Sequence, residues 1–360
     1  MENNFIIQRL YSISKLRKII FIIYISFLLI LFYYKLYRDS FKEEILLGKN
    51  TFVKKTKKLQ EKLELTTSLL KIYSEIYDYI RNGYTKPRFS DIKKDYSLEP
   101  KNYNICICSI AKNENLYARE FVEYYLNLGV DKIFIYDNND LEGENFDNIL
   151  NDFIRNKSVE IIDVRGLSSI IIPIYNHCYR KYKDFYDWFG FLDFDEYLFI
   201  ENKQTLKDYI YSEKFNKCQL IFFNWIIYND NGLIKYENKS LLKRFTNPVL
   251  NYTQGKSFVR GRIKNFALPT VHIPGINIYH FCNSNGDLIY PNNFFVNKFE
   301  SKPIAYIKHF YTKTIEEFCN KINKHPHYFK NHPEYVSATN SRISFFFQIN
   351  KKTKEKLNIR

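Results

Sequence analysis

The sequence predicts an α/β domain with a mixed sheet and helices on both faces, preceded by an N-terminal transmembrane helix and a helical stem. Three patterns support this prediction. An uncharged apolar run lies near the N-terminus, heptad-spaced apolar residues follow it, and strand and helix periodicities alternate from about residue 103 onward. Strands that alternate with helices form parallel sheets in α/β proteins, so we expect parallel strands at the centre of the domain.

The apolar run covers residues 19–34 and is bounded by Lys18 and Lys35. A helix of about 16 residues rises roughly 24 Å, slightly less than the usual hydrocarbon core. Aromatic residues crowd its C-terminal end, and no small-residue cleavage site follows it. We therefore expect an uncleaved single-pass anchor after a basic tail at 1–18; the alternative is a buried helix. Basic residues flank both sides, so the orientation stays open.

A polar stem is predicted for residues 35–100. Within it, apolar residues recur at alternating spacings of four and three, which indicates a short coiled coil or a helix that lies on the next domain. A coiled coil would give a homodimer through the stem. The seam consists of Leu59, Leu63, Thr66, Leu70, Tyr73, Tyr77 and Ile80.

The main domain is predicted for residues 101–347 and a frayed basic tail for 348–360. Strands are expected at 104–110, 132–136 and 159–164, and a fourth carries Asp193 and Asp195. The intervening helices are expected at 116–128, 145–156 and 168–183, with Gly129 as the cap of the first. The remainder is less regular and includes an aromatic run at 219–228, a unit at 305–311 and a helix at 314–324.

Composition and charge limit the function classes. The chain has 360 residues, of which 45% are hydrophobic and 18% aromatic, and this excludes a disordered chain. The net charge of +15 would suit nucleic acid, an anionic membrane or a phosphorylated small molecule. Since no nucleic-acid-binding motif is present, we expect no nucleic-acid partner.

The chain has 6 cysteines, whose even number permits disulfides in an oxidising compartment without requiring them. Cys106 and Cys108 point the same way from one predicted strand, and we expect them to be small buried thiols. No Cys-x-x-Cys pair or Cys/His cluster indicates zinc.

Two carboxylates, Asp193 and Asp195, follow an apolar run and are joined at once by Glu196. On a strand, alternation would place both aspartates on one side. Carboxylates that share a face repel each other unless a cation or a protonation shift relieves them. A divalent metal that also binds a diphosphate would do so, because hard cations prefer oxygen ligands. The alternative is a strand end with solvated acids.

Polar residues also follow the other predicted strands. Lys112, Asn113 and Glu114 end the first strand, and Asp137 ends the second. Ligands of parallel α/β sheets bind at the carboxyl ends of the strands, where Asp193 and Asp195 also fall. The sequence therefore predicts one ligand cleft at this edge.

Three blocks of sequence resemble a known family. Residues 105–140 contain Ala-Lys-Asn-Glu and, near the end, Tyr-Asp-Asn-Asn. Residues 187–199 contain Phe-Leu-Asp-Phe-Asp-Glu, and residues 308–318 read Lys-His-Phe-Tyr-Thr-Lys-Thr-Ile-Glu-Glu-Phe. Together they are similar to family 92 glycosyltransferases, which relate to the wider family 2 group. A lone Asp-x-Asp is weak evidence, whereas three ordered blocks over about 103–325 are specific.

The resemblance implies a GT-A fold, a Rossmann-like sheet that binds a nucleotide-sugar donor with a divalent metal, Mn²⁺ or Mg²⁺, on the Asp-x-Asp. It implies that Asp193 and Asp195 contact the ribose and the metal–diphosphate, with His309 as a further metal ligand. It also implies that Asp137 faces the base and that Asn176 contacts the donor; the alternative for Asn176 is a polar helix face. Lys112, Asn113 and Glu114 would line the same cleft.

Leaving-group charge and proton transfer need further residues. Lys256 and Arg260 could stabilise the charge that develops on a departing diphosphate, although either could be an ordinary surface or core residue. An inverting transfer also needs a base, for which Asp230 and Glu196 are the candidates. Glu196 could instead only support the strand end.

We therefore expect a membrane-anchored, metal-dependent hexosyltransferase with a UDP-sugar donor, an inverting mechanism and a glycan or glycoconjugate acceptor. The alternatives are a catalytically silent binding module of the same fold and an Asp-x-Asp phosphatase. The domain would face the Golgi lumen in a eukaryote and the cytoplasm at the inner membrane in a bacterium. In the first case Asn156, Asn238 and Asn251 are glycosylation sequons.

Overall fold

The computed structural model of the chain divides into two compact units, Met1–Leu65 and Thr66–Arg360. The predicted anchor at 19–34 lies outside the described residues, and none of the described helices is long and apolar enough to cross a membrane. The residues that the structure describes are 57–58, 60–72, 74, 102–167, 171–203, 205–264, 266–268, 278, 280–289, 303–323 and 333–359.

The described stem residues, 57–58, 60–72 and 74, are helical. In the second unit Ile72 is 4% exposed and packs with Ala267 and Ile172. The helix therefore contacts the domain through Ile72, which is not one of the predicted seam residues, whereas the seam residue Leu63 is 39% exposed. Self-association through the stem stays a prediction.

The first half of the domain is a parallel sheet. Strands β1 (Ile105–Ala111), β2 (Lys132–Asp137), β3 (Val159–Asp163) and β4 (Trp188–Phe191) are ordered β3-β2-β1-β4. All neighbouring pairs in this set are parallel, which confirms the prediction. The central strands are apolar along their whole length because helices bury both faces.

Three helices connect these strands: α1 (Asn115–Leu128), α2 (Asn151–Arg155) and α3 (Ile171–Tyr182). The cap of α1 is as predicted, since Gly129 has φ 102° and its N–H donates to Leu126. Only a residue without Cβ adopts this left-handed conformation without strain. The second helix is shorter than predicted, because turns occupy residues 147–150.

The second half of the domain extends the same sheet. Its strands are β5 (Glu196–Ile200), β6 (Leu220–Tyr228), β7 (Pro248–Arg260), β8 (Phe281–Cys282), β9 (Leu288–Ile289) and β10 (Ala305–His309). They continue the sheet from β4 in the order β4-β7-β6-β10-β5 and so complete a mixed sheet. The helices of this half are α4 (Leu206–Ile210), α5 (Leu241–Arg244), α6 (Ile315–Asn323), α7 (Pro333–Ile349) and α8 (Lys351–Lys356).

The prediction of a frayed tail at 348–360 is wrong. Helices α7 and α8 occupy most of it, and Asn350 and Thr353 are fully buried. Asn350 receives a hydrogen bond from the Asp230 backbone N–H at 2.8 Å. The tail therefore docks on the turn after β6.

The prediction that Asp193 and Asp195 share one strand is also wrong. Strand β4 ends at Phe191 and β5 begins at Glu196, and a turn joins them, closed by the Glu196 N–H on the Asp193 carbonyl at 3.0 Å. The two strands are not neighbours, because β4 is central and β5 is at the far edge of the sheet. The apolar sequence on both sides of the turn reflects two separately buried strands.

Two disulfides join elements of the domain. Cys108 on β1 bonds to Cys178 on α3, and Cys218 bonds to Cys282 on β8. The expectation of a free thiol is therefore wrong for Cys108, because the opposing helix presents a partner. It holds for Cys106, which is buried and free.

A buried ion pair fixes the start of α6. The Nη1 and Nη2 atoms of Arg244 donate to the Glu317 carboxylate, at 2.8 and 2.9 Å. The Tyr117 hydroxyl donates to the same carboxylate at 2.5 Å. The Thr314 and Glu317 side chains also cap each other's backbone N–H groups. The first turn of α6 is thereby tied to α1 and α5.

This ion pair predicts a pH-dependent stability. Burial acts to raise the pKa of Glu317, but hydrogen bonds from Arg244, Thr314 and Tyr117 outweigh it and lower the pKa. Such a carboxyl stabilises the fold above its unfolded pKa of about 4.3, and the stabilisation is lost as pH falls through the folded value. We expect Glu317→Gln to cost roughly 3–5 kcal/mol at pH 7, because Arg244 loses its buried partner.

The measurement is urea unfolding between pH 3 and pH 8. The difference in unfolding free energy between wild type and Glu317→Gln should shrink as the solution becomes acidic. Glu123→Gln is the matched control, because that carboxylate is 50% exposed in its pair with Arg119. An equal loss for both variants at pH 7 would contradict the prediction.

Candidate functional site

The first half of the site consists of Asp193, Glu196 and Lys256. The Lys256 ammonium donates to Asp193 at 2.9 Å and lies 3.3 Å from Glu196. Lys256 is 1% exposed and Glu196 is fully buried, whereas the Asp193 side chain is 45% exposed. Tyr175 donates to the other Asp193 oxygen at 3.1 Å. Asp193 is therefore an oriented carboxylate that faces outward from a buried ammonium.

The backbone around Lys256 explains how a lysine reaches this position. Strand β7 pairs with β4 so that Phe258 lies opposite Gly190, which places Lys256 beyond the carboxyl end of β4. The preceding Gly255 lies at a register shift between β6 and β7. A Cβ at Gly255 would stand 1.9 Å from the Phe223 carbonyl oxygen, so no other residue fits there without displacing the backbone.

The Glu196 carboxyl supports the turn. Its Oε2 accepts from the Asp193 N–H at 2.9 Å, while its Oε1 is buried without a hydrogen bond from any described residue. Burial raises the pKa of Glu196 to about 8, although Lys256 acts in the opposite direction. Burial acts to lower the pKa of Lys256, but Asp193 and Glu196 outweigh it and the pKa is raised. Lys256 therefore stays charged beside these two acids.

The second half of the site surrounds Asp195. Lys321 on α6 donates to Asp195 Oδ2 at 2.7 Å, Lys313 Nζ lies 3.8 Å from the same oxygen, and His309 Nε2 lies 3.6 Å from Oδ1. Burial acts to raise the pKa of Asp195, but Lys321, Lys313 and His309 outweigh it and hold the pKa well below its usual range. Asp195 is thus an ionised, buried carboxylate.

The surroundings of His309 favour its neutral imidazole. Burial lowers the pKa of His309, although Asp195 acts to raise it. The ring packs 4.4 Å from the Trp225 ring, centroid to centroid. The Phe310 N–H donates to the Asp195 carbonyl at 2.9 Å, so the end of β10 is fixed to the turn.

The ends of β1 and β2 form a linked pair of loops. Asn113 has φ 52°, and its N–H donates to the Asn139 side chain at 2.7 Å; Lys112 binds Asp140 at 2.7 Å. Asp137 is buried and accepts from the Asn139 N–H at 3.0 Å. Burial raises the pKa of Asp137.

One contact joins these loops to the aspartates. Glu114 Oε2 lies 3.6 Å from Lys313 Nζ, which also faces Asp195. Glu114 and Asp195 therefore meet through Lys313, whereas Asp193, two residues from Asp195, has its own cation in Lys256. Asp137 belongs to a neighbouring group, with Arg165 Nε at 4.0 Å.

Arg260 does not lie in the cleft. Arg260 pairs with Trp188 at the start of β4. It is four residues along β7 from Lys256 and therefore lies near the amino end of β4, opposite to the end that carries the aspartates. Its guanidinium donates to the carbonyls of Cys218 and Phe215. The prediction is wrong because four residues of extended strand span about 13 Å.

Asn176 and Asp230 also have structural partners. The Asn176 side chain is fully buried and exchanges hydrogen bonds with the Leu268 backbone at 2.8 and 3.0 Å, so it does not present an amide to a donor. The Asp230 carboxylate accepts from the Gly232 N–H at 2.7 Å and from Thr353. Its contacts are with its own turn and the C-terminal helices, not with Asp193 or Asp195.

Sequence reasoning missed Lys313, Lys321 and Tyr175. A signal existed for Lys313, which stands inside the block at 308–318. For Lys321 the signal is its position one helical turn after Glu317, which places both residues on one side of α6. This signal is weak, because lysine and arginine number 54 in the chain and such spacings are therefore common.

Comparison with known proteins points to the same family as the three sequence blocks. The model of glycosyltransferase family 92 matches residues 101–267, which confirms the family resemblance.

Relatives named glycosyltransferase family 92 proteins occur in three plants. The one from Oryza sativa subsp. japonica is 29% identical over 108 residues, which are 30% of this chain and 18% of the relative. The one from Ricinus communis is 23% identical, covering 62% of this chain and 38% of the relative. The one from Arabidopsis thaliana is 25% identical, with 58% and 39% covered. The chain spans less than half of each relative's length.

Solved structures of TarS from S. aureus are distant neighbours. TarS 1–349 in complex with UDP matches with a TM-score of 0.25 and 13% identity, over 37% of this chain and 38% of that one. A second structure of TarS 1–349 gives the same TM-score at 15% identity, over 44% of this chain and 47% of that one. Similarity at this level carries no argument, and the mixed α/β fold rests on the chain's own topology.

The burial of Lys256 predicts a coupled stability effect. Lys256→Met should cost roughly 3–5 kcal/mol, because Asp193 and Glu196 lose their shared cation. The double variant Lys256→Met/Glu196→Gln should recover at least about 1 kcal/mol of this loss, measured as a double-mutant cycle by urea unfolding.

Lys207→Met is the control for this cycle. Lys207 binds Asp131 at 2.6 Å, but the side chains are 37% and 31% exposed, so its loss should cost less than about 1 kcal/mol. If Lys256→Met proved as mild as Lys207→Met, the ammonium would not be needed to neutralise the two acids.

Proposed function

We propose that the domain is a GT-A-type, metal-dependent enzyme that transfers a hexosyl group from a nucleotide-diphosphate donor to a hydroxyl group of a glycan or glycoconjugate. The observation that carries the proposal is Asp195, a buried and ionised carboxylate that faces His309 at the carboxyl edge of the sheet. Ligands of α/β sheets bind at this edge. The family assignment supplies the reaction class, and the UDP donor and inverting outcome are parts of the proposal.

The chemistry of Asp195 and His309 fits a divalent cation. Their Oδ1 and Nε2 atoms are 3.6 Å apart, the carboxylate is ionised and the imidazole is neutral, which are the forms that bind metals. No group of three or more His, Cys, Asp or Glu side chains among the described residues could hold a metal. A two-ligand site suits Mn²⁺ or Mg²⁺, since such ions are commonly completed by substrate phosphates and water.

The metal, when bound, would supply Lewis-acid stabilisation of the diphosphate. Residues of the chain do the remaining work. Tyr175 and Lys256 fix the orientation of Asp193, whose exposed carboxylate can accept hydrogen bonds from ribose hydroxyls. The Glu196 carboxyl accepts a hydrogen bond from the Asp193 N–H. Because this carboxyl is fully buried, a role in positioning Asp193 is favoured over a role as the base that takes the proton of the acceptor hydroxyl.

A second part of the proposal concerns the compartment. Disulfides persist in oxidising compartments, and the domain has two, Cys108–Cys178 and Cys218–Cys282. The sequon residues Asn156, Asn238 and Asn251 are all exposed. Both observations favour a lumenal domain of a secretory compartment such as the Golgi over a cytoplasmic one. Residues 19–34 would anchor it to the membrane.

Asp195→Asn tests the reaction. With the full chain, Mn²⁺ and a panel of UDP- and GDP-sugars, nucleotide release should fall at least about hundredfold, because the variant loses the ionised ligand and its charge. The melting curve should show that the variant is folded. Asp152→Asn is the control, since this aspartate is 57% exposed on α2 in its pair with Arg119. Full sugar transfer by folded Asp195→Asn would overturn the proposed mechanism.

Peptide mapping under non-reducing conditions tests the compartment. Protein isolated from the membrane fraction of its own cells should yield the linked pairs Cys108–Cys178 and Cys218–Cys282, with Cys106 and Cys319 as thiols. Alkylation before lysis is the control against oxidation during purification. Recovery of all six cysteines as thiols would argue for a reducing compartment instead.

A further inference from the structure

Lys313 differs from the other lysines of the site in how its charge is satisfied. Lys256 and Lys321 each donate at least one hydrogen bond to a carboxylate, at 2.9 and 2.7 Å. The Lys313 ammonium is 3.6 Å from Glu114 and 3.8 Å from Asp195, and no acceptor among the described residues lies within hydrogen-bond distance of it. Its third neighbour is the face of the Tyr117 ring, 4.1 Å from the centroid.

Because the Lys313 side chain is largely buried, little water can take the place of the missing acceptor. The side chain is only 4% exposed, and an ammonium carries three N–H donors. A buried charged donor without an acceptor lowers stability, so such groups are paired or have a ligand to bind. Two carboxylates and one aromatic ring hold the charge in place electrostatically without occupying its donors.

The backbone at this position is also in an unfavourable conformation. Lys313 has φ 54°, in the left-handed region that residues with a Cβ seldom adopt. The buried contacts of Thr314 and Glu317 immediately after it fix the chain there. Strain that the surrounding structure maintains is characteristic of ligand-binding positions.

From these observations we propose that Lys313 binds the diphosphate group of the donor and stabilises it as the leaving group. This inference rests on the proposed function. Lys313 lies between Glu114, which follows β1, and Asp195, the proposed metal ligand. A phosphate oxygen placed there would give the Lys313 ammonium the hydrogen-bond acceptor that the protein does not provide. Lys321 stays on Asp195 and keeps that carboxylate ionised.

In the transfer, the acceptor oxygen bonds to the anomeric carbon as the bond from that carbon to the diphosphate oxygen breaks. The electron pair of the broken bond stays on the diphosphate, and the acceptor proton passes to water. Lys313 neither gains nor loses a proton. It stabilises the negative charge that grows on the leaving oxygen, which lowers the barrier more than it stabilises the bound donor.

The test is titration calorimetry of the full chain in detergent and Mn²⁺, with UDP, UMP, GDP and GMP as probes. Lys313→Met should weaken binding of the preferred diphosphate about tenfold or more, the equivalent of one charge-assisted hydrogen bond. Affinity for the matching monophosphate should change less than about twofold, since its phosphate occupies another position. Lys313→Arg should retain part of the diphosphate preference.

Lys308→Met is the matched control, because this lysine of the same block lies over the Phe199 and Tyr228 rings and contacts no site carboxylate. It should bind all four probes like wild type. Lys313→Gln serves in place of Lys313→Met if that variant does not fold.

Two failures are distinguishable. If wild type prefers the diphosphate and folded Lys313→Met or Lys313→Gln keeps the same preference, the role of Lys313 is overturned while the proposed function stands. If wild type binds none of the four nucleotides, the proposed function and the role of Lys313 are both overturned.

Discussion

The structure depends on neutralising three acidic side chains within a single turn. Asp193, Asp195 and Glu196 lie within four residues, and two of them are buried. Carboxyl groups at this density coexist only if positive charges surround them or one of them holds a proton, and the raised pKa of Glu196 favours its protonated form. Lys256 supplies one charge from the centre of the sheet, and Lys321 supplies another from a helix packed at its edge.

That requirement explains several otherwise unusual features. Gly255 permits β7 to shift its register, so that Lys256 can reach the turn. The buried Arg244–Glu317 pair fixes the start of α6, and thereby the segment that carries Lys313 and Lys321. The hydrogen bond from Phe310 holds β10 against the same turn. Each feature places a cation or an imidazole beside a carboxylate.

The parallel half of the sheet could be predicted from the sequence because its signals are local. Apolar strands and amphipathic helices alternate over 104–183, and parallel strands buried on both faces are apolar throughout. Strands β5, β6, β7 and β10 could not be placed in the same way. Their pairing joins residues far apart in the chain, and short apolar runs do not specify a partner.

The same distinction applies to the site. Its carboxylates were identified because acidic residues rarely interrupt apolar segments. Its cations were not, since lysine is abundant throughout the chain. Lys256 and Arg260 were equally good candidates by sequence, and only the register of β7 against β4 separates them. Asn176 and Asp230 were predicted as functional because polarity alone does not reveal a side chain's partners. In the structure, backbone groups bind the Asn176 amide, and a backbone N–H and the Thr353 hydroxyl bind the Asp230 carboxylate.

The ion pair between Asp195 and Lys321 spans 126 residues of sequence. During synthesis, the turn that contains Asp195 therefore leaves the ribosome long before Lys321 does. Until then Asp195 favours solvent over burial, which disfavours the pairing of β10 with the edge strand β5 around it. This separation means that the parallel half of the sheet can form from contacts available early, whereas the complete site requires the C-terminal part of the chain.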